Sequence, residues 1–173
     1  MTAFLITGIS ASGKSTVAQA LAERLPKAAH VRGDAFRRMV VSGGVGMTPE
    51  LPEEAVRQLH LRYRIAAAAA DLYAGEGFTA VVQDVVLGAD LALFAGLIRT
   101  RPLHVVVLAP EAAVVERRER ERAKNGYGAW TVAELDAALR RDTPRLGLWL
   151  DTSAQTPAQT VEEILARAAE ARV

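Results

Sequence analysis

Residues Gly8-Ile9-Ser10-Ala11-Ser12-Gly13-Lys14-Ser15 fit the pattern G-x-x-x-x-G-K-[ST] at every fixed position. That pattern has a mechanism only where a buried strand feeds the loop and a helix leaves it. Both flanks are present. The apolar run Ala3–Thr7 precedes the loop, and Val17, Leu21 and Leu25 recur afterwards at helical spacing until Pro26 stops the helix. The glycines let the backbone wrap closely, so that successive N–H groups point inward at phosphate oxygens. The helix that follows adds the positive end of its dipole. On this reading Gly8 to Thr16, counting Ile9, Ser10, Ala11, Ser12, Gly13, Lys14 and Ser15, form a nucleoside triphosphate site. Lys14 bridges the β- and γ-phosphates and the Ser15 hydroxyl binds Mg²⁺. The alternative, a glycine-rich turn that binds nothing, has no need of strand, loop and helix together.

The rest of the chain repeats that alternation. Short apolar runs at Ala28–Val31, Phe78–Gln83, Leu103–Ala109 and Gly147–Leu150 read as strands buried on both faces. Between them Val56, Leu59, Tyr63, Ala66, Ala70 and Tyr73 form a helical stripe ended by Gly75-Glu76-Gly77. Thr131 and Glu134 have capping-box spacing and open a short helix running to about Arg141. A last helix follows Pro157 and carries Val161, Ile164 and Leu165. Strands alternating with helices imply right-handed crossovers and a three-layer α/β fold with a parallel sheet. The 173 residues suit one domain, 1–173, with a short lid at about 116–130.

Composition narrows the partners. Lys and Arg total 21 against 20 Asp and Glu, a net charge of +1. Such a balance disfavours a nucleic-acid coat or an acidic membrane surface. There is no cysteine, hence no disulfide framework or thiolate metal site. The N-terminus lacks the marks of a signal peptide, and no apolar run approaches the ~18 residues needed for a membrane span. These features point to a cytoplasmic protein.

Several triphosphate chemistries can be set aside. A GTPase needs a guanine-reading Asn-Lys-x-Asp and an Asp-x-x-Gly after the third strand, and neither is present. A transporter ATPase carries its Ser-Gly-Gly signature far downstream, whereas here Ser42-Gly43-Gly44 follows the phosphate loop closely. Ser42–Gly46 is therefore either a flexible loop beside a substrate or a turn. A motor ATPase needs more chain. What remains is a small kinase.

Kinase chemistry needs a group that orients the acceptor hydroxyl and takes its proton. Asp34 lies just beyond the second strand, at the carboxyl edge where open α/β sheets bind ligands. It could also cap the next helix, and the two roles are compatible. Arg37, one helical turn on, could share its face; of Arg37 and Arg38 one could hold a polar or anionic part of the substrate, for which Arg37 is the candidate, and the other is solvated. Asp84, at the end of the third strand, is the expected second acid, facing either Mg²⁺ or substrate. In the mixed-charge run 116–124, Arg118 and Arg122 lie on one helical face and suit a lid that neutralises the transferring phosphoryl group. Asn125-Gly126-Tyr127-Gly128 could hinge it, and Tyr127 could reach the site. Trp130, Trp149 and His104 read as packing residues. His30 and His60 have no metal-ligand spacing.

Over nearly the whole chain this order of elements resembles the small P-loop kinases, and most of all chloramphenicol phosphotransferase and its relatives. The resemblance rests on Gly8–Ser15, the Asp34 segment, Asp84-Val85-Val86-Leu87-Gly88, the Arg118/Arg122 helix and Leu150-Asp151-Thr152-Ser153. It implies a five-stranded parallel sheet in the order 2-3-1-4-5 and Asp34 as the base. It also implies that Thr152, Ser153 and Gln155 lie against the adenine. Arg32-Gly33-Asp34-Ala35-Phe36-Arg37 is similar as well to the Asp-x-x-Arg element of polynucleotide 5′-hydroxyl kinases and to zeta-type toxin kinases.

The expected function is an ATP- and Mg²⁺-dependent kinase acting on a hydroxyl of a small molecule, antibiotic-like or nucleoside-like. A polynucleotide 5′-hydroxyl or nucleotide kinase is the same-chemistry alternative, which the absence of a basic stripe with interleaved aromatics disfavours. A P-loop ATPase or nucleotide-sensing module without an acceptor is the alternative from another class. The sequence leaves the oligomeric state open.

Overall fold

In the computed structural model, which describes residues 1–121 and 127–173, strand β1 (Ala3–Thr7) is buried at every position. It pairs on both edges, in parallel, with β3 (Thr79–Gln83) and β4 (Leu103–Leu108). β2 (Ala28–Arg32) extends the sheet beside β3, and β5 (Leu148–Leu150) extends it beside β4. The order is therefore β2-β3-β1-β4-β5, all parallel, as the resemblance implies. The expected strand boundaries agree to within a residue.

Alternation along the strands divides the core. Leu5, Val31, Ala80, Val82, Val105 and Val107 face one layer, which contains α3 (Glu53–Gly75) and α4 (Asp90–Leu97). Phe4, Ile6, Val81, Val106, Leu108 and Leu150 face the other, with α1 (Lys14–Arg24) and α7 (Pro157–Ala166). The remaining helices are α2 (Gly33–Arg38), α5 (Ala112–Arg120), α6 (Val132–Ala137) and α8 (Ala168–Ala171).

The stripe predicted for α3 is correct at Tyr63, Ala66 and Ala70, which are buried, but not at Tyr73, which is exposed. Near the end of the helix Tyr73 meets Phe78 edge-on, with much of its ring open to solvent. The Thr131–Glu134 capping box is present. α6 then widens into a π-helical turn, Ala138–Asp142, which a capping signal at its start could not announce. His104 stacks on Phe4, as a packing residue should. His30 lies against Gln19 of α1 at 2.8 Å, and burial pushes its imidazole down to about 4, so it is neutral near physiological pH. Among the described residues no helix is long and apolar enough to cross a membrane.

Candidate active site

The phosphate loop leaves the central strand and enters α1, as its mechanism requires. Gly8 has φ +148°, and a Cβ there would fall 2.5 Å from the Leu108 carbonyl oxygen and 2.6 Å from Ser12 Oγ. Only glycine fits between the loop and β4. Ala11 also holds a left-handed φ, of +59°. Three carbonyls of the loop are held by side chains. Lys14 Nζ donates to Ile9 O at 2.7 Å, and the Tyr127 hydroxyl donates to Ser10 O at 2.7 Å. Arg118 Nη1 donates to Ser12 O at 3.5 Å, while its Nη2 reaches Thr152 O at 3.4 Å. Ser15 and Thr16 are exposed at the head of α1. The Ser12 and Thr152 hydroxyls are buried without a hydrogen-bond partner.

β2 and β3 deliver the two acids. Asp34 stands in the first turn of α2 with its carboxylate half-exposed. Its cation is Arg38, one turn along, rather than Arg37. Arg37 is exposed, and among the described residues its side chain makes no hydrogen bond or ion pair.

Asp84, by contrast, is buried. Gly33 passes directly over it, and a Cβ at Gly33 would fall 1.9 Å from Asp84 Oδ2. The missing side chain is thus what lets the Asp34 turn approach the end of β3. Arg62 of α3 meets both oxygens, with Nη2 at 3.0 Å from Oδ1 and Nε at 2.8 Å from Oδ2, and the Val85 N–H donates to Oδ1 at 2.8 Å. Burial pushes the Asp84 carboxyl above the usual carboxylate range. Arg62, then the Val85 N–H and Lys14, oppose that rise, and the Asp34 charge adds to it. Asp34, Asp84 and Lys14 therefore share one electrostatic neighbourhood at the carboxyl edge of the sheet.

Arg62 has no signal in the sequence. It adjoins the apolar stripe at Tyr63, but nothing in helical spacing names a partner 22 residues away. Removing it strands a charge. Arg62→Met should destabilise the domain by about 3 kcal/mol, the usual cost of breaking one side of a buried pair. The thermal midpoint should then fall by roughly 6–12 °C. Without Arg62 the folded-state pKa of Asp84 rises further above its unfolded value. Stability is then fully present below the unfolded pKa and is lost as pH rises through the folded one. The deficit against wild type should accordingly shrink on acidification. Melting curves from neutral pH down through the carboxylate range check this, and a deficit that grows in acid would refute it.

Mg²⁺ commonly uses one or two carboxylates together with substrate phosphates and water. The residues fit that use. Ser15 offers its hydroxyl beside the phosphate loop, and Asp84 Oδ2 makes no well-aligned hydrogen bond despite the nearby guanidinium. Among the described residues no cluster of three or more His, Cys, Asp or Glu forms a cage of its own.

Downstream, Ser153 joins the Asp151 turn to the start of α5. Its hydroxyl donates to Asp151 and accepts from the Glu111 N–H at 2.8 Å. Arg140, on the π-helical turn, donates to the carbonyls of Ala109 and Pro110 at 3.2 and 2.9 Å. His60 pairs with Asp90 across α3 and α4 at 3.1 Å, a tie between helices. Arg122 and the first residues of the expected hinge, Asn125 and Gly126, lie outside the described residues.

A family model described as an AAA domain, AAA_33, matches residues 4–145. A UPF0200 protein of Aeropyrum pernix is 34% identical over 139 residues, covering 75% of this chain and 70% of that protein. Among solved structures, a sugar kinase from Janibacter sp. HTCC2649 superposes with a TM-score of 0.72 at 21% identity, over 99% of this chain and 96% of that one. The Mycobacterium tuberculosis APS kinase CysC, in complex with AMPPNP and APS, gives 0.72 at 20% identity over 97% of both chains. The likeness to these two extends to the whole arrangement of sheet and helices, and the fold is that of the small P-loop kinases. With most of its length matched by the family model, the chain belongs to the AAA_33 family of AAA domains.

Proposed function

We propose that the protein is an ATP-dependent kinase that transfers the γ-phosphoryl group to a hydroxyl of a small molecule, antibiotic-like or nucleoside-like. The observation that carries this reading is the placement of a half-exposed Asp34 carboxylate beside buried Asp84 and the lysine of the phosphate loop. An ATPase that uses water has no need of an accessible acid on the β2 side of the sheet, where a second substrate can enter.

The phosphate-loop backbone and Lys14 hold the β- and γ-phosphates, and Arg118 approaches over Ser12. Asp34 accepts a hydrogen bond from the acceptor hydroxyl and takes its proton as the new oxygen–phosphorus bond forms. The bond from phosphorus to the bridging oxygen of ADP breaks in line with it. Ser15 and Asp84 are the residues that would hold Mg²⁺, which supplies charge neutralisation between the β- and γ-phosphates when bound. Thr152 and Ser153 border the base side, where Arg118 meets Thr152 O. Residues 116–130 act as the lid, within one domain spanning 1–173.

The test is a mass-spectrometric screen for the gain of one phosphoryl group on hydroxylated small molecules, with ATP and Mg²⁺. Transfer to one of them supports the proposal. ATP hydrolysis with no transfer to any acceptor supports the ATPase reading, and transfer only to a 5′-hydroxyl oligonucleotide supports the end-kinase reading.

A further inference from the structure

Two contacts reach the phosphate loop from one stretch of chain. Arg118, on the last turn of α5, donates to Ser12 O and Thr152 O. Tyr127, between α5 and α6, is 7% exposed, packs into the core and donates its hydroxyl to Ser10 O at 2.7 Å. Tyr127 and Arg118 therefore hold carbonyls two residues apart in one loop, Ser10 O and Ser12 O. Arg118 has long bonds of 3.4–3.5 Å to two carbonyls, and a guanidinium held that loosely depends on where the Ser12 carbonyl stands.

We propose that Tyr127 is a positioning residue whose bond to the Ser10 carbonyl sets the placement of Arg118 over the bound nucleotide. This role rests on the phosphate loop binding a nucleoside triphosphate and not on the transfer reaction. Tyr127 acts through the carbonyl side of the loop, while the N–H side faces phosphate. Each end supports the other, since a loop held at Ser10 O also presents the backbone on which Arg118 rests.

Tyr127→Phe keeps the buried ring and deletes only the hydroxyl. Its effect is measured by calorimetric titration with AMPPNP and Mg²⁺, in a cycle with Arg118→Ala. Loss of one neutral hydrogen bond should weaken AMPPNP binding about fivefold, and loss of the guanidinium about tenfold. Because Tyr127 acts through Arg118, the double variant should bind no more weakly than Arg118→Ala alone. Independent roles would instead multiply to about fiftyfold. The thermal midpoint of Tyr127→Phe should stay within about 3 °C of wild type, consistent with loss of a single hydrogen bond. Multiplicative losses, unchanged affinity in Tyr127→Phe, or a loss of affinity accompanied by a large fall in thermal midpoint would each overturn the proposal. A wild-type chain that fails to bind AMPPNP at all would instead refute the nucleotide reading itself.

Discussion

Asp34→Asn should lower phosphoryl transfer by about 10³-fold, within the range a positioned general base commonly supplies. The amide has the same shape, so acceptor and nucleotide can still enter, but it cannot take a proton at neutral pH. AMPPNP affinity should remain within about threefold of wild type. The substitution breaks only the half-exposed ion pair with Arg38, and such a pair is worth at most about 1 kcal/mol, so the fold should also survive. The measurement is the initial rate with an acceptor found by the screen, beside a calorimetric titration of AMPPNP. Undiminished transfer would remove Asp34 from the chemistry and leave it as the acidic residue of the first turn of α2.

Lys14→Ala should be nearly as severe, with a rate loss of about 10²–10³-fold of the kind seen when a positioned electrostatic donor is deleted. Unlike Asp34→Asn it should also weaken AMPPNP, because the ammonium serves ground state and transition state alike. Lys14 is 8% exposed and bonded to Ile9 O, so its removal loosens the loop locally while both layers of the core stay packed. Circular dichroism should show an intact fold. An active Lys14→Ala protein would overturn the phosphate-loop reading, and an unfolded one would show that the lysine is structural. The two variants divide the site, one failing in proton transfer and the other in phosphate binding as well.

The sheet was legible because its signals are local. Runs such as Phe78–Gln83 and Leu103–Ala109 are apolar on both faces, and few structures other than a covered parallel sheet absorb them. The phosphate loop was legible because its spacing, strand and helix all lie close together near the start of the chain. The Asp84–Arg62 pair was not, since it joins the end of a strand to a helix face through space. The same holds for Tyr127 and Ser10, 117 residues apart. Asp34 marked the right edge of the sheet, and its exposed pairing with Arg38 follows the i,i+4 spacing within α2. The π-helical turn after α6 carries Arg140 to its carbonyl partners just past the end of β4, a destination no local pattern records.

The central position of β1 has a consequence for the order of events during synthesis. The phosphate motif is made before most of the strands that complete its cradle. Its floor, however, is the Leu108 carbonyl beneath Gly8, and β1 lacks a neighbour on that side until β4 has been made. Arg118, Tyr127 and Thr152 arrive later still. A nascent chain therefore carries an entire nucleotide signature without a cradle for it, and leaves one edge of β1, buried along its whole length in the fold, open until Leu103–Leu108 has emerged. On the proposed reading, affinity for nucleotide would be acquired late, by closures between distant segments, which are the slow ones. A fragment ending before Leu103 would have the motif without the site.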